Sequence, residues 1–186
     1  ASDGTGSGIA STTLDSSAYT APVTISTQGT TSHAYSTTDR AGNAASGSVS
    51  FKIDTVAPSS SITSYTSNQP VRGTISFGGT ASDVTSGLSL VEVSTDSGAT
   101  WNTATLTGGN WSYSIDTTAF PDGSKTIQMR VTDNAGNQSS SSLSLLIDNT
   151  PPTITHALSG TLGSNGWYTS TVQITLTATD ATSGIA

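Results

Sequence analysis

Seven aspartates of this 186-residue chain fall into three recurring settings. Asp3, Asp83 and Asp180 open closely similar phrases: Asp3-Gly4-Thr5-Gly6-Ser7-Gly8, Asp83-Val84-Thr85-Ser86-Gly87 and Asp180-Ala181-Thr182-Ser183-Gly184. Asp39 and Asp133 precede Arg40-Ala41-Gly42-Asn43 and Asn134-Ala135-Gly136-Asn137. Asp54 and Asp148 precede Thr55-Val56-Ala57-Pro58 and Asn149-Thr150-Pro151-Pro152. Hard cations take clustered oxygen ligands. Asp39, Asp54, Asp83, Asp133, Asp148 and Asp180 are therefore candidate calcium ligands if their loops share one pole of a fold. Asp and Asn also close turns through side-chain bonds to nearby backbone, and the dense Asp repeats of strong calcium loops are missing. Both readings stand at this level. No other cofactor is expected.

Catalysis finds little footing. His33 and His156 lie in different parts of the repeat described below, and Glu92 is expected to sit alone on an exposed strand face. No nucleophile elbow, P-loop or His-rich metal motif is present. The chain is thus read as a non-enzyme. Trp101, Trp111 and Trp167, with Tyr113 and Tyr168, could form sugar-binding platforms. Trp111 and Tyr113 share one strand face, so at least one of them should pack inward. Lys52 and Lys125 could form isopeptide cross-links only if buried beside an acid, and both read as strand-face or turn residues. Asn110-Trp111-Ser112 and Asn137-Gln138-Ser139 fit the glycosylation sequon, as chance matches would in so Ser-rich a chain.

Composition narrows the classes further. There is no cysteine, so disulfides and Cys-ligated metals are excluded. Ser and Thr exceed a third of the residues, charged residues are 9%, and the net charge is −7. An acidic chain poor in Lys and Arg does not suit nucleic acid, whose binding neutralises phosphates. No apolar run approaches a membrane span.

The aspartate phrases sit in a longer repeat. Asp39 and Asp133 lie 94 positions apart, and so do Asp54 and Asp148. Val49, Phe51 and Ile53 match Leu143, Leu145 and Ile147 at the same shift. Period-two alternation, the mark of a half-buried strand, recurs along the chain. Val71, Gly73, Ile75 and Phe77 form one such face; Ile127, Met129 and Val131 another; Val172, Ile174, Leu176 and Ala178 a third. With turn signals every eight to twelve residues, strands are expected near 60–65, 71–81, 88–95, 101–106, 110–116, 124–133 and 138–148. The fold class is all-β: immunoglobulin-like β-sandwich repeats. Residues 1–58 read as the back part of a module, 59–150 as a complete one and 151–186 as the front part of another.

Val91-Glu92-Val93-Ser94-Thr95-Asp96-Ser97-Gly98-Ala99-Thr100-Trp101 resembles the third-strand signature of bacterial immunoglobulin-like, or fibronectin-like, repeats of large surface or filament proteins. So does Asp116-Thr117-Thr118-Ala119-Phe120-Pro121-Asp122-Gly123 running into Thr132-Asp133-Asn134-Ala135-Gly136-Asn137. Gly163-Ser164-Asn165-Gly166-Trp167-Tyr168 is similar to the opening of a related module. The chain departs from the pattern at Lys125, where tyrosine is common. The resemblance implies an extracellular structural role.

The phase of the repeat carries the functional expectation. Residues 151–186 of one copy should complete residues 1–58 of the next, head to tail. Val172, Ile174 and Leu176 would meet Tyr35, Val49, Phe51 and Ile53. The partner is then another copy, in a strand-donating filament or within a longer covalent array. A glycan or cell-surface ligand, or service beside a secreted glycan hydrolase, is the alternative.

Overall fold

A computed structural model describes Gly4 and residues 6–185. Fifteen strands are present among the described residues: β1 (Ile9–Leu14), β2 (Ser17–Ala18), β3 (Gly29–Asp39), β4 (Ala44–Ile53), β5 (Ser59–Ile62), β6 (Pro70–Val71), β7 (Thr74–Ser82), β8 (Leu88–Ser94), β9 (Asn102–Thr103), β10 (Thr105–Thr107), β11 (Asn110–Asp116), β12 (Gly123–Asp133), β13 (Gln138–Ile147), β14 (Thr153–Ser159) and β15 (Gln173–Thr179). Helix is confined to two single 3-10 turns, at Thr117–Ala119 and Ser164–Gly166. Among the described residues, no helix is long and apolar enough to cross a membrane.

β5 to β13 form an immunoglobulin-like sandwich. One sheet has the order β10-β11-β7-β5 and the other β6-β13-β12-β8-β9. Alternation along each strand sends one apolar set inward: Ile75 and Phe77, Val91 and Val93, Trp111 and Ile115, Ile127, Met129 and Val131, Leu145 and Ile147 are all buried. Phe77 meets Trp111 edge-on with ring centroids 5.7 Å apart, and the Trp111 indole donates to the Thr80 carbonyl. Fully burying a side chain of this kind stabilises by about 1.5–3 kcal/mol, which explains why the alternating runs settle as facing sheets.

The expected single strand over 71–81 is instead two. Val71 belongs to β6, parallel to β13, whereas Ile75 and Phe77 belong to β7 in the opposite sheet. The switch turns at Gly73, whose φ of 63° favours glycine. Asn149 Oδ1 accepts the Gly73 amide, and Thr117 Oγ1 donates to the Gly73 carbonyl. The expected strand over 101–106 also divides: β9 pairs with β8, and β10 pairs with β11.

Two further sheets flank the sandwich. β2-β1-β3-β4 precede it, and the β14–β15 hairpin follows. Their registers repeat those of the sandwich. Gly29↔Ile53 through Thr38↔Ala44 corresponds to Gly123↔Ile147 through Thr132↔Gln138. The bulge where Ile9 faces Asp39 and Ser11 faces Thr38 corresponds to Leu88 facing Asp133 and Leu90 facing Thr132. In the hairpin, Thr153↔Thr179 corresponds to Ser59↔Ser82. Even the hydroxyl pair is kept: Ser59 and Ser82 lie 2.8 Å apart, as do Thr153 and Thr179. Similar hydroxyl pairs join Ser61 to Thr80, Thr126 to Ser144 and Thr13 to Ser36.

Candidate functional site

Each of the six candidate aspartates closes a turn, as their sequence setting allowed. Asp83 Oδ1 accepts the amides of Thr85, Ser86 and Gly87 at 2.8–3.1 Å. Asp180 Oδ1 accepts those of Thr182, Ser183 and Gly184. Asp133 Oδ1 accepts the amides of Ala135, Gly136 and Asn137, and its Oδ2 accepts Asn137 Nδ2. Asp39 repeats this with Ala41 and Asn43. Asp54 and Asp148 accept from Val56 and Thr150. Asp3 lies outside the described residues.

Three of them also converge. One carboxylate oxygen each from Asp54, Asp83 and Asp133 lies within 4.8 Å of the others. Oxygens around a calcium ion stand about 2.3–2.6 Å from it, so two opposed ligands are separated by roughly twice that, and the triad fits this spacing. The sites come from three elements: the end of β4, the loop after β7 and the loop after β12. Asp54 Oδ2 and Ser86 Oγ are buried without a hydrogen-bond partner. Asp133 is 2% exposed. Burial pushes its carboxyl up, but bonds from the Asn137 side chain and the Asn137, Gly136 and Ala135 amides hold it below the usual range. Lys52 lines a cleft of about 490 Å³ together with Asp54, Ser86 and Asn134, but the ion pairs among the described residues, Arg130–Glu92 and His33–Asp15, do not include it. Three close like charges repel one another and favour a cation between them.

Asp148 and Asp180 occupy the corresponding place after the sandwich and share the Ser183 amide, which donates to Asp148 Oδ2 at 3.0 Å and Asp180 Oδ1 at 2.9 Å. The Gly184 amide is the first cause of the lowered Asp180 carboxyl. Asp39 is far along the chain from both; it is lowered first by the Asn43 side chain. The two junctions differ in packing. Pro58 is buried and Asn137 Nδ2 donates to the carbonyls of Asp54 and Val56, whereas Pro151 and Pro152 are exposed.

The expected interface residues lie on open sheet faces. Tyr35 and Val49 are about half exposed, and Phe51 and Ile53 are half-buried, on one face of β3 and β4. Val172, Ile174 and Leu176 are exposed, with Ile154 and Leu158 on the same hairpin face. His33 is half-buried: its Nδ1 lies 2.6 Å from Asp15 and its ring stacks on Phe51 at 5.4 Å.

Glu92 is not alone, because β8 and β12 place it opposite Arg130 and the two pair at 2.6 Å. The same guanidinium covers the Trp101 ring at 4.4 Å, so that ring offers no open platform on this side. Trp111 is buried and Tyr113 packs against the core. Trp167 is 77% exposed. Lys125 lies 4.5 Å over Phe120, occupying the corner where tyrosine was the common residue. Sequence reading missed the Glu92–Arg130 pair; the cross-strand register of the two alternating runs was the signal that could have found it.

Residues 63–149 match the family described as bacterial Ig-like domain. The resemblance read from the third-strand and Asp-Ala-Gly-Asn phrases therefore holds for the middle of the chain. No curated protein matches the chain. Among solved structures, the chain is similar to an endo-β-1,4-mannanase from Thermotoga petrophila, at 16% identity and a TM-score of 0.46, covering 52% of this chain and 21% of that one. It is also similar to the fibronectin(III)-like modules of Clostridium thermocellum CbhA, at 16% identity and a TM-score of 0.45, covering 76% of this chain and 79% of that one. The match thus spans about a fifth of the mannanase chain.

Proposed function

We propose that this chain is a structural repeat of an extracellular bacterial filament or giant surface protein, joined head to tail. Residues 151–186 of one copy complete residues 1–58 of the next. The observation that carries this reading is the repeated register. β14–β15 pairs as β5–β7 does, and β1, β3 and β4 pair as β8, β12 and β13 do. One flank therefore holds the strands that the other lacks. Each flank also leaves an apolar face in water, Ile174 and Leu176 at 65% exposure and Tyr35 at 49%. Docking the faces buries both and pairs free strand edges. Such a head-to-tail contact grows into a filament unless its rotation closes a ring. The function is then mechanical: stacked sandwiches fix reach and direction. Calcium held by Asp54, Asp83 and Asp133 would stiffen the joint between successive units.

Sedimentation of the 186-residue chain tests the reading. A concentration-dependent series of oligomers is expected, and the doubly substituted Ile174→Asp, Leu176→Asp chain should be a monomer whose middle sandwich stays folded. A wild-type chain that remains monomeric at the highest soluble concentration sinks the proposal. A second reading, glycan binding, rests on the exposed Trp167; it expects a Trp167→Ala-sensitive signal on a glycan array.

A further inference from the structure

We infer that residues 22–26 are the third strand of the joint, pairing with the free edge of β15 from a second copy. This rests on the head-to-tail reading above and gives it a register. In the middle sandwich, β7 lies between β5 and β11. In the hairpin, β15 takes the place of β7 and β14 that of β5, which leaves the β11 side of β15 without a ladder among the described residues. Residues 19–28 stand in the chain where β10 and β11 stand in the sandwich, between the β1–β2 pair and β3, yet they form no strand.

Their composition is that of a strand waiting for a partner. Val23, Thr24 and Ile25 are β-branched, which suits a pleated surface, and Val23 is 57% exposed. Pro22, which lacks an amide proton, stands at the start, where a strand tolerates it. The far end of the segment is already anchored as in the sandwich. Gln28 Oε1 accepts the Thr55 amide at 3.0 Å. Asp122, 94 positions on, accepts the Asn149 amide at 2.7 Å through Oδ1. The two clasps join corresponding residues, so the segment leaves β3 from the same corner that β11 leaves β12. The sandwich pairs Tyr113↔Phe77 and Ile115↔Ile75. Ile25 stands four positions closer to Gln28 than Ile115 does to Asp122, the 3-10 turn Thr117–Ala119 having no counterpart there. With the alternating Val23 and Ile25 set on Tyr113 and Ile115, Val23 faces Ile174 and Ile25 faces Val172, on the side of the strand that looks towards Tyr35 and Phe51.

The native chain has no cysteine, which permits a direct test. A Val23→Cys chain is mixed with an Ile174→Cys chain under mild oxidation, so that any mixed disulfide must join two copies. The expected yield exceeds by about tenfold that of a Thr24→Cys and Ile174→Cys mixture, because Thr24 faces the opposite side of the strand. Equal yields from the two mixtures overturn the strand. Amide exchange on the unsubstituted chain is the second measurement: residues 23–26 should exchange at least tenfold more slowly in concentrated than in dilute samples. Oligomers that form while these amides stay unprotected would overturn this inference and leave the head-to-tail reading standing. Absence of oligomers removes both.

Discussion

The two flanking sheets repeat ladders of the sandwich, β8–β12–β13 in β1–β3–β4 and β5–β7 in β14–β15, but the buried core lies in the sandwich. Phe77, Ile127 and Met129 are fully buried in the sandwich. At the corresponding ladder positions stand Ile174, His33 and Tyr35, and Ile174 is 65% and Tyr35 49% exposed. Register, bulge and aspartate turns are the same with and without the facing sheet. Those features are therefore set locally, by alternation and turn chemistry, whereas burial depends on a second layer. The open faces differ in content too. His33 and Tyr35 replace purely apolar residues: Tyr35 stays about half in water, whereas His33 Nε2 is buried without a hydrogen-bond partner.

Four substitutions probe this contrast. The largest effect is expected from Phe77→Ala, which empties a fully buried site and should destabilise the middle sandwich by about 3–5 kcal/mol in urea titration. Its counterpart Ile174→Ala should leave the same transition unmoved in dilute solution. Equal losses would erase the distinction between cored and open sheets. Gly79→Ala comes next. A Cβ there would clash with the Ser61 carbonyl oxygen, forcing β5 off β7 at a cost of about 1–3 kcal/mol. The hairpin carries Leu176 at the matching position and pairs over seven residues where β5 pairs over four. An unchanged melting temperature in Gly79→Ala would show that the two edges are equally roomy.

The smallest effect concerns acid. The Thr100 hydroxyl, with the Thr100 amide and Ser94, lowers Asp96 from 3.8 to about 2, tying the turn after β8. A carboxyl lowered on folding stabilises above its unfolded value and loses that contribution as pH falls through the folded value. Asp96 thus contributes fully above pH 3.8 and progressively less towards pH 2. Wild type and Asp96→Asn should differ in urea midpoint at pH 5 and converge near pH 2. A gap of constant size across that range would remove the carboxylate from the account. The N-terminal sheet has a different device at the matching strand end, where His33 lowers Asp15. Asp96→Asn should therefore leave the acid response of the open sheet unaltered.

The sandwich was largely legible in the chain. β12 and β13 each begin and end within one residue of their expected bounds, because alternation there is uninterrupted. The break at Arg72-Gly73 was not legible. Val71, Gly73, Ile75 and Phe77 keep their period across it, and the change of sheet shows in the positive φ of Gly73 and in the Asn149 and Thr117 bonds to it. The aspartates were visible as a repeat. Their meeting was not, since Asp54, Asp83 and Asp133 come from segments tens of residues apart and nothing in the spacing fixes which loops share a pole. The Glu92–Arg130 pair was hidden for the same reason: it is a property of register, not of either strand alone.

The hydroxyl pairs that knit neighbouring strands bear on where such a surface can serve. Ion pairs weaken as salt screens them. Pairs such as Ser59–Ser82, Thr126–Ser144 and Thr153–Thr179 carry no formal charge, and charged residues make up only 9% of the chain. Lateral cohesion from these hydroxyl pairs is not screened by salt, so in brine the loss between β8 and β12 is confined to the Glu92–Arg130 pair.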